Sequence, residues 1–116
     1  MKARIYHNPR CSKSRAALAL LQGRGIDVEI VDYLANPPSK ATLQALLVKL
    51  DIEAIELVRV AEPEYRAAVP AGTHLSSDDL LELIARTPRL LQRPIVEVGD
   101  RARIGRPPER VLELCE

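Results

Sequence analysis

The apolar positions of this 116-residue chain change period several times. Lys2-Ala3-Arg4-Ile5-Tyr6 alternates with the two-residue period of a strand, and His7-Asn8-Pro9-Arg10 ends it, since proline cannot donate to a ladder. From Ser12 to Leu21 the period becomes helical, with Ala16, Ala17, Leu20 and Leu21 as the expected apolar face and Gly23 and Gly25 as stops. Val28-Glu29-Ile30-Val31 reads as a second strand. Strand, helix and strand in so short a span predict a right-handed crossover between parallel strands.

The middle is helical. After the Pro37-Pro38 break, Ser39 is placed to cap a helix whose Leu43, Leu46, Leu47 and Leu50 recur at i, i+3, i+4 and i+7. A shorter piece is expected around Ile55 to Val58, then loop or broken helix around Pro63 and Pro70. Ser76 and Asp79 approximate a capping box before Leu80, Leu81, Leu83 and Ile84, and Pro88 stops that helix. Ile95–Val98, the turn Gly99-Asp100 and Arg101–Ile104 predict an antiparallel hairpin. Pro107 or Pro108 can open a closing helix through Leu114. The expectation is a single α/β domain over residues 1–116 with one small mixed sheet covered by helices. Its parts are βαβ over about 1–34, a helical block over about 38–90 and ββα over about 93–115.

Composition narrows the classes. Hydrophobic residues at 47% and charged residues at 28% describe an ordinary globule, and no apolar run reaches the roughly 18 residues of a membrane span. No secretory signal is read at the start, so a cytoplasmic location without membrane association is expected. The net charge of +1 gathers no polyanion, and with 3% aromatics, neither Phe nor Trp, there is almost nothing for bases to stack on. Direct nucleic-acid binding is therefore not expected. Thirteen of the 17 cations are Arg, whose planar fork suits oxyanions better than Lys does. Cys11 and Cys115 stand at opposite ends, neither a disulfide framework nor, with two His, a spaced metal-ligand set.

Cys11 is the most informative residue. It lies where the first strand gives way to the first helix, with the free N–H groups near Ser12, Lys13 and Ser14 directed toward it. A thiolate there is stabilised by the positive helix end, with Lys13, Arg10 or Arg15 adding charge, and the same amides would cradle an oxyanion. A free cysteine is often just a small buried hydrophobe, but a polar strand-to-helix loop is a poor place to bury one. His7 is placed to accept a hydrogen bond from the thiol or to orient a neighbour. Ser14 stands where a two-cysteine redox motif has its second thiol, so resolution of an adduct needs an outside thiol or Cys115.

The segment His7-Asn8-Pro9-Arg10-Cys11-Ser12-Lys13-Ser14-Arg15 resembles the active-site segment of the glutaredoxin-coupled arsenate reductases. The resemblance continues through Tyr33-Leu34, Pro37-Pro38, Arg93-Pro94-Ile95-Val96 and Ile104-Gly105-Arg106-Pro107, which spans nearly the whole chain. It implies a thioredoxin-like fold with an inserted helical block. Cys11 matches the nucleophile, Arg59, Arg93 and Arg106 match three arginines around the oxyanion, and His7 matches a histidine near the cysteine. Pro94 matches a position commonly cis and facing the cysteine. Ser12-Lys13 stands where the well-studied reductases have Gly-Thr, which is similar to a short sister group, and Val60 replaces a basic residue.

The activity so implied is reduction of arsenate, or a similar oxyanion, to arsenite by a monomer. Glutathione is the co-substrate, glutaredoxin the partner, and neither metal nor bound cofactor takes part. Two other readings stay open on the sequence. One is a single-cysteine oxidoreductase acting on other oxidised thiols. The second is an RNA-polymerase-binding regulator of the same fold, whose members commonly carry a second cysteine at the place of Ser14.

Overall fold

A computed structural model describes residues 1–115. It has two compact units: Met1–Asn36 with the chain from Arg93 onward, and Pro37–Gln92.

The first unit carries the sheet. Strand β1 (Lys2–His7), helix α1 (Ser12–Gly23) and strand β2 (Asp27–Asp32) form the crossover, and β3 (Ile95–Val98) with β4 (Arg101–Ile104) forms the hairpin. The order is β2-β1-β3-β4, with β1 parallel to β2 and antiparallel to β3. Gly99, at φ 60, supplies the left-handed residue that a two-residue hairpin turn requires. Ala3 and Ile5 of β1 and Val96 of β3 pack against Ala17 and Leu21 of α1, and against Val111 and Leu114. Without Phe or Trp this core is wholly aliphatic, and each fully buried Val, Leu or Ile contributes about 1.5–3 kcal/mol.

Two expectations need correction here. Ala16 is exposed, and the inward stripe of α1 is Ser14, Ala17 and Leu21. The cause is Ser14, whose hydroxyl is bonded beneath the end of β1 and turns the helix away from the face that hydrophobicity alone selects. The closing helix, Pro108–Cys115, is a 3₁₀ helix. Its three-residue period puts Val111 and Leu114 on one side, where both enter the core.

The second unit is helical. It contains α2 (Lys40–Leu50), α3 (Pro63–Ala68) and α4 (Ser77–Arg86), with 3₁₀ turns at Ala54–Leu57 and Pro88–Leu90. Ser39 caps α2 by accepting the Thr42 N–H at 3.2 Å. In α4, Ser76 accepts the Asp79 N–H at 3.1 Å while the Asp79 carboxylate accepts the Ser76 N–H at 3.3 Å. Leu43, Leu46 and Leu50 of α2 and Leu80, Leu81, Leu83 and Ile84 of α4 are all buried. The stretch around Pro63 is a short helix, with proline in its first turn, where a missing N–H costs nothing. The Arg59 N–H donates to the Leu90 carbonyl at 2.8 Å and the Gln92 N–H to that of Leu57 at 2.9 Å, which ties these two segments together. Among the described residues no helix is long and apolar enough to cross a membrane. The sequence of elements is the α/β, thioredoxin-like plan: βαβ, an inserted helical block, then a hairpin and closing helix.

Candidate active site

Strand register places the chemistry. The parallel ladder ends at His7↔Asp32, so one further step sets Asn8 opposite Tyr33. On its other side β1 pairs Tyr6 with Ile95, and continuing two residues sets Asn8 opposite Arg93. The hairpin pairs Ile95 with Ile104, and the same continuation sets Arg93 opposite Arg106. The Arg106 Nε donates to the Arg93 carbonyl at 2.8 Å, which holds the two residues side by side. Tyr33, Asn8, Arg93 and Arg106 thus form a row across one end of the sheet. The Cys11 amide folds back onto the Asn8 carbonyl at 3.0 Å, joining the start of α1 to this row.

Cys11 is the N-cap of α1, half-buried and with extended backbone, and its sulfur accepts no fully formed capping hydrogen bond from the helix amides. Burial pushes its pKa up most strongly. That push is outweighed by the Ser14 amide, the Arg93 guanidinium and the Lys13 amide, and the net direction is down. The helix end therefore acts as the sequence implied, but the cation is Arg93. Of the expected contributors, Lys13 acts through its amide, Arg15 is turned to the Pro9 carbonyl at 2.9 Å, and Arg10 and Ser12 are exposed.

His7 does the second of the two things expected of it. Its Nδ1 lies 2.7 Å from Ser14 Oγ, which also accepts the Asn8 N–H at 3.0 Å. Burial holds the imidazole below its ordinary pKa, against the pull of Asp32 and together with Arg15. With a neutral ring, the hydroxyl donates to Nδ1 and accepts from Asn8, so the groups that meet at Ser14 are satisfied. An unpaired buried hydroxyl would cost about 1–3 kcal/mol, so this bond fixes the first turn of α1 against β1. Ser14 thereby sets where the amides facing Cys11 point. The sequence showed Ser14 as a missing thiol; its role as a pivot depends on burial that no spacing reveals.

The arginines divide between the units. Arg93 and Arg106 belong to the first, each followed by a cis proline, Pro94 and Pro107. Gly105 makes the approach possible, because a Cβ there would lie 2.8 Å from the Pro94 ring and 3.1 Å from Val111. Arg59 belongs to the second unit, where its Nη2 pairs with Glu62 at 2.7 Å. Glu62 in turn faces Arg89 at 3.6 Å, and Arg89 pairs with Glu64 at 2.7 Å. Glu62 was not singled out from sequence, although it sits three residues from Arg59. Tyr33 and Asn8 stand out in the sequence only as part of a motif, because their placement rests on a parallel register that sequence does not display. Among the described residues, no group of three or more His, Cys, Asp or Glu side chains is arranged to hold a metal ion.

One consequence is measurable directly. In Cys115→Ser protein, the alkylation rate of Cys11 is expected to rise through an inflection below the ordinary cysteine value of about 8.5. A pH titration of that rate with a neutral reagent checks it, and an inflection at or above the ordinary value contradicts it.

Comparison with known proteins agrees with this geometry. Residues 6–114 match the ArsC family. The chain is 46% identical to the uncharacterized protein YfgD of Escherichia coli over 97% of this chain and 96% of the relative. It is 44% identical to an arsenate reductase of Neisseria meningitidis over 93% of each chain. The solved structure of an arsenate reductase from Vibrio cholerae superposes with a TM-score of 0.94 at 43% identity, covering 98% of both chains. With its cysteine at a helix start and its paired arginines at the sheet end, the chain belongs to the ArsC family.

Proposed function

We propose that this protein reduces arsenate to arsenite, with Cys11 as nucleophile. The observation that carries the reading is the place of Cys11 at the N-cap of α1, where the Ser14 and Lys13 amides and the Arg93 guanidinium lower its pKa, with Arg106 paired beside Arg93. A thiolate in such a place attracts a tetrahedral oxyanion and is itself activated to attack it. The backbone around Ser12, Lys13 and Ser14 and the forks of Arg93 and Arg106 bind the oxygens.

The chemistry balances with thiols alone. Cys11 sulfur bonds to arsenic(V) and one oxygen leaves as water. Glutathione then condenses onto the arsenic with loss of a second water. The thiolate of glutaredoxin attacks the glutathione sulfur, and the arsenic–sulfur pair passes to arsenic, reducing it to the trivalent state. Water displaces Cys11 from the trivalent adduct, releasing arsenite and the free thiol. The protein needs no resident metal or organic group for these steps. Phosphate binds the same forks but does not take the electron pair, so discrimination lies in the reaction.

An assay coupling arsenate, glutathione, glutaredoxin and glutathione reductase to NADPH oxidation tests this reading and its donor. Arsenate-dependent NADPH loss requiring glutaredoxin is expected. Loss that proceeds with thioredoxin alone would move the donor assignment, and none with any donor would remove the activity.

Cys115 is expected to be dispensable. It borders a cavity of about 260 Å³ with Met1, Arg24, Gly25 and Ile26, beside the C-terminal end of α1, whereas Cys11 sits at the N-terminal end. The 12-residue helix between them is about 18 Å long, far beyond the roughly 7 Å limit for a disulfide. Turnover of Cys115→Ser in the glutathione-coupled assay should match the parent; a loss comparable to that of Cys11→Ser would mean an internal relay.

A further inference from the structure

Tyr33 is the least explained residue near the sulfur. It is fully buried, and its hydroxyl has no hydrogen-bond partner. The Nε of Arg93 is likewise buried and without a partner. The two residues stand on either side of Asn8 in the row, Tyr33 just past the end of β2 and Arg93 leading into β3. Tyr33 is also anchored. Asp32 Oδ1 accepts the amides of Leu34 at 3.1 Å and Ala35 at 3.2 Å, and its carbonyl accepts that of Asn36 at 2.9 Å, which fixes the turn carrying the phenol. Burial raises the phenol pKa, opposed by the Arg93 charge and by the close approach of the Arg93 and Asn8 side chains to the hydroxyl, while Cys11 acts with burial; the group stays protonated at neutral pH.

We propose that Tyr33 is a positioning residue for Arg93: its phenol oxygen accepts the Arg93 Nε–H when an oxyanion engages the other end of the guanidinium. The proposal rests on the oxyanion reading of the site. An arginine fork binds two oxygens only when its plane is held, and a plane is held by engaging Nε, as the Arg93 carbonyl does for Arg106. Arg93 lacks that engagement in the free protein, and Tyr33 is the side chain with an unused oxygen beside it. Two orphaned polar atoms are thus kept in readiness and satisfied together on binding. The arrangement trades stability of the free protein for a fixed fork in the complex.

The test is Tyr33→Phe, which keeps the ring and removes the oxygen. Because that oxygen is unpartnered in the free protein, the melting temperature without anion should be unchanged or raised. Protection of Cys11 from a neutral alkylating reagent by inorganic phosphate or arsenate should need about threefold to tenfold more anion. The arsenate KM should rise similarly with kcat nearly retained. In an Arg93→Ala background the same substitution should change protection no further. Equal weakening with and without Arg93, undiminished protection in Tyr33→Phe, or a lowered melting temperature would each overturn the positioning role. Absence of protection in the parent protein would instead overturn the oxyanion reading, and the proposal with it.

Discussion

Cys11→Ser is expected to reduce arsenate-dependent turnover by at least about a thousandfold, while phosphate or arsenate still binds. The serine hydroxyl is not ionised near neutral pH, so the amides of Ser14 and Lys13 and the charge of Arg93 have no thiolate to stabilise. Those same groups are retained, and the Ser14 bond to His7 is untouched, so the anion cradle and the start of α1 should persist. The check is steady-state turnover alongside calorimetric titration with phosphate. Loss of binding together with turnover would show that the sulfur was holding the site together rather than reacting.

Arg93→Lys and Arg106→Lys should each lower turnover efficiency on arsenate by about tenfold to a hundredfold, from loss of a charge-assisted hydrogen bond worth about 1.5–3 kcal/mol. Charge is conserved in both, so geometry carries the loss. Arg106 uses Nε on the Arg93 carbonyl and keeps its terminal nitrogens for an anion; a lysine has one nitrogen for both tasks. Alkylation of Cys11 by a neutral reagent should change little in either variant, because the helix amides remain and a cation still stands near the sulfur in Arg93→Lys. The two assays on the same proteins separate clamp from thiol. A generic thiol oxidoreductase predicts near-parent activity in both variants on arsenate-free substrates and no selective arsenate loss.

Much of this is legible in the sequence. Alternation, helical period and proline breaks placed the strands, and Ser39 and Ser76 announced their caps. Cys11 was visible from its place between strand and helix. The pairing of Arg93 with Arg106 was implicit too, since counting outward from Gly99-Asp100 brings the two opposite one another. What stayed hidden depended on burial and on non-local register. Ser14 reads as the residue in place of a second thiol until His7 and Asn8 are known to lie over it, and its inward turn sets the buried face of α1. Tyr33 gains meaning only from the parallel β1–β2 register, and the closing helix takes its 3₁₀ form to bring Val111 and Leu114 to the core.

The most direct measurement is the appearance of arsenite itself. Cys115→Ser protein is incubated with arsenate, glutathione and glutaredoxin, and arsenic speciation is followed by chromatography with elemental detection, with Cys11→Ser as the control. Arsenite accumulating well beyond one equivalent per protein, and none above background with Cys11→Ser, is the predicted result. Arsenate recovered unchanged, or arsenite formed equally by both proteins, would contradict the account.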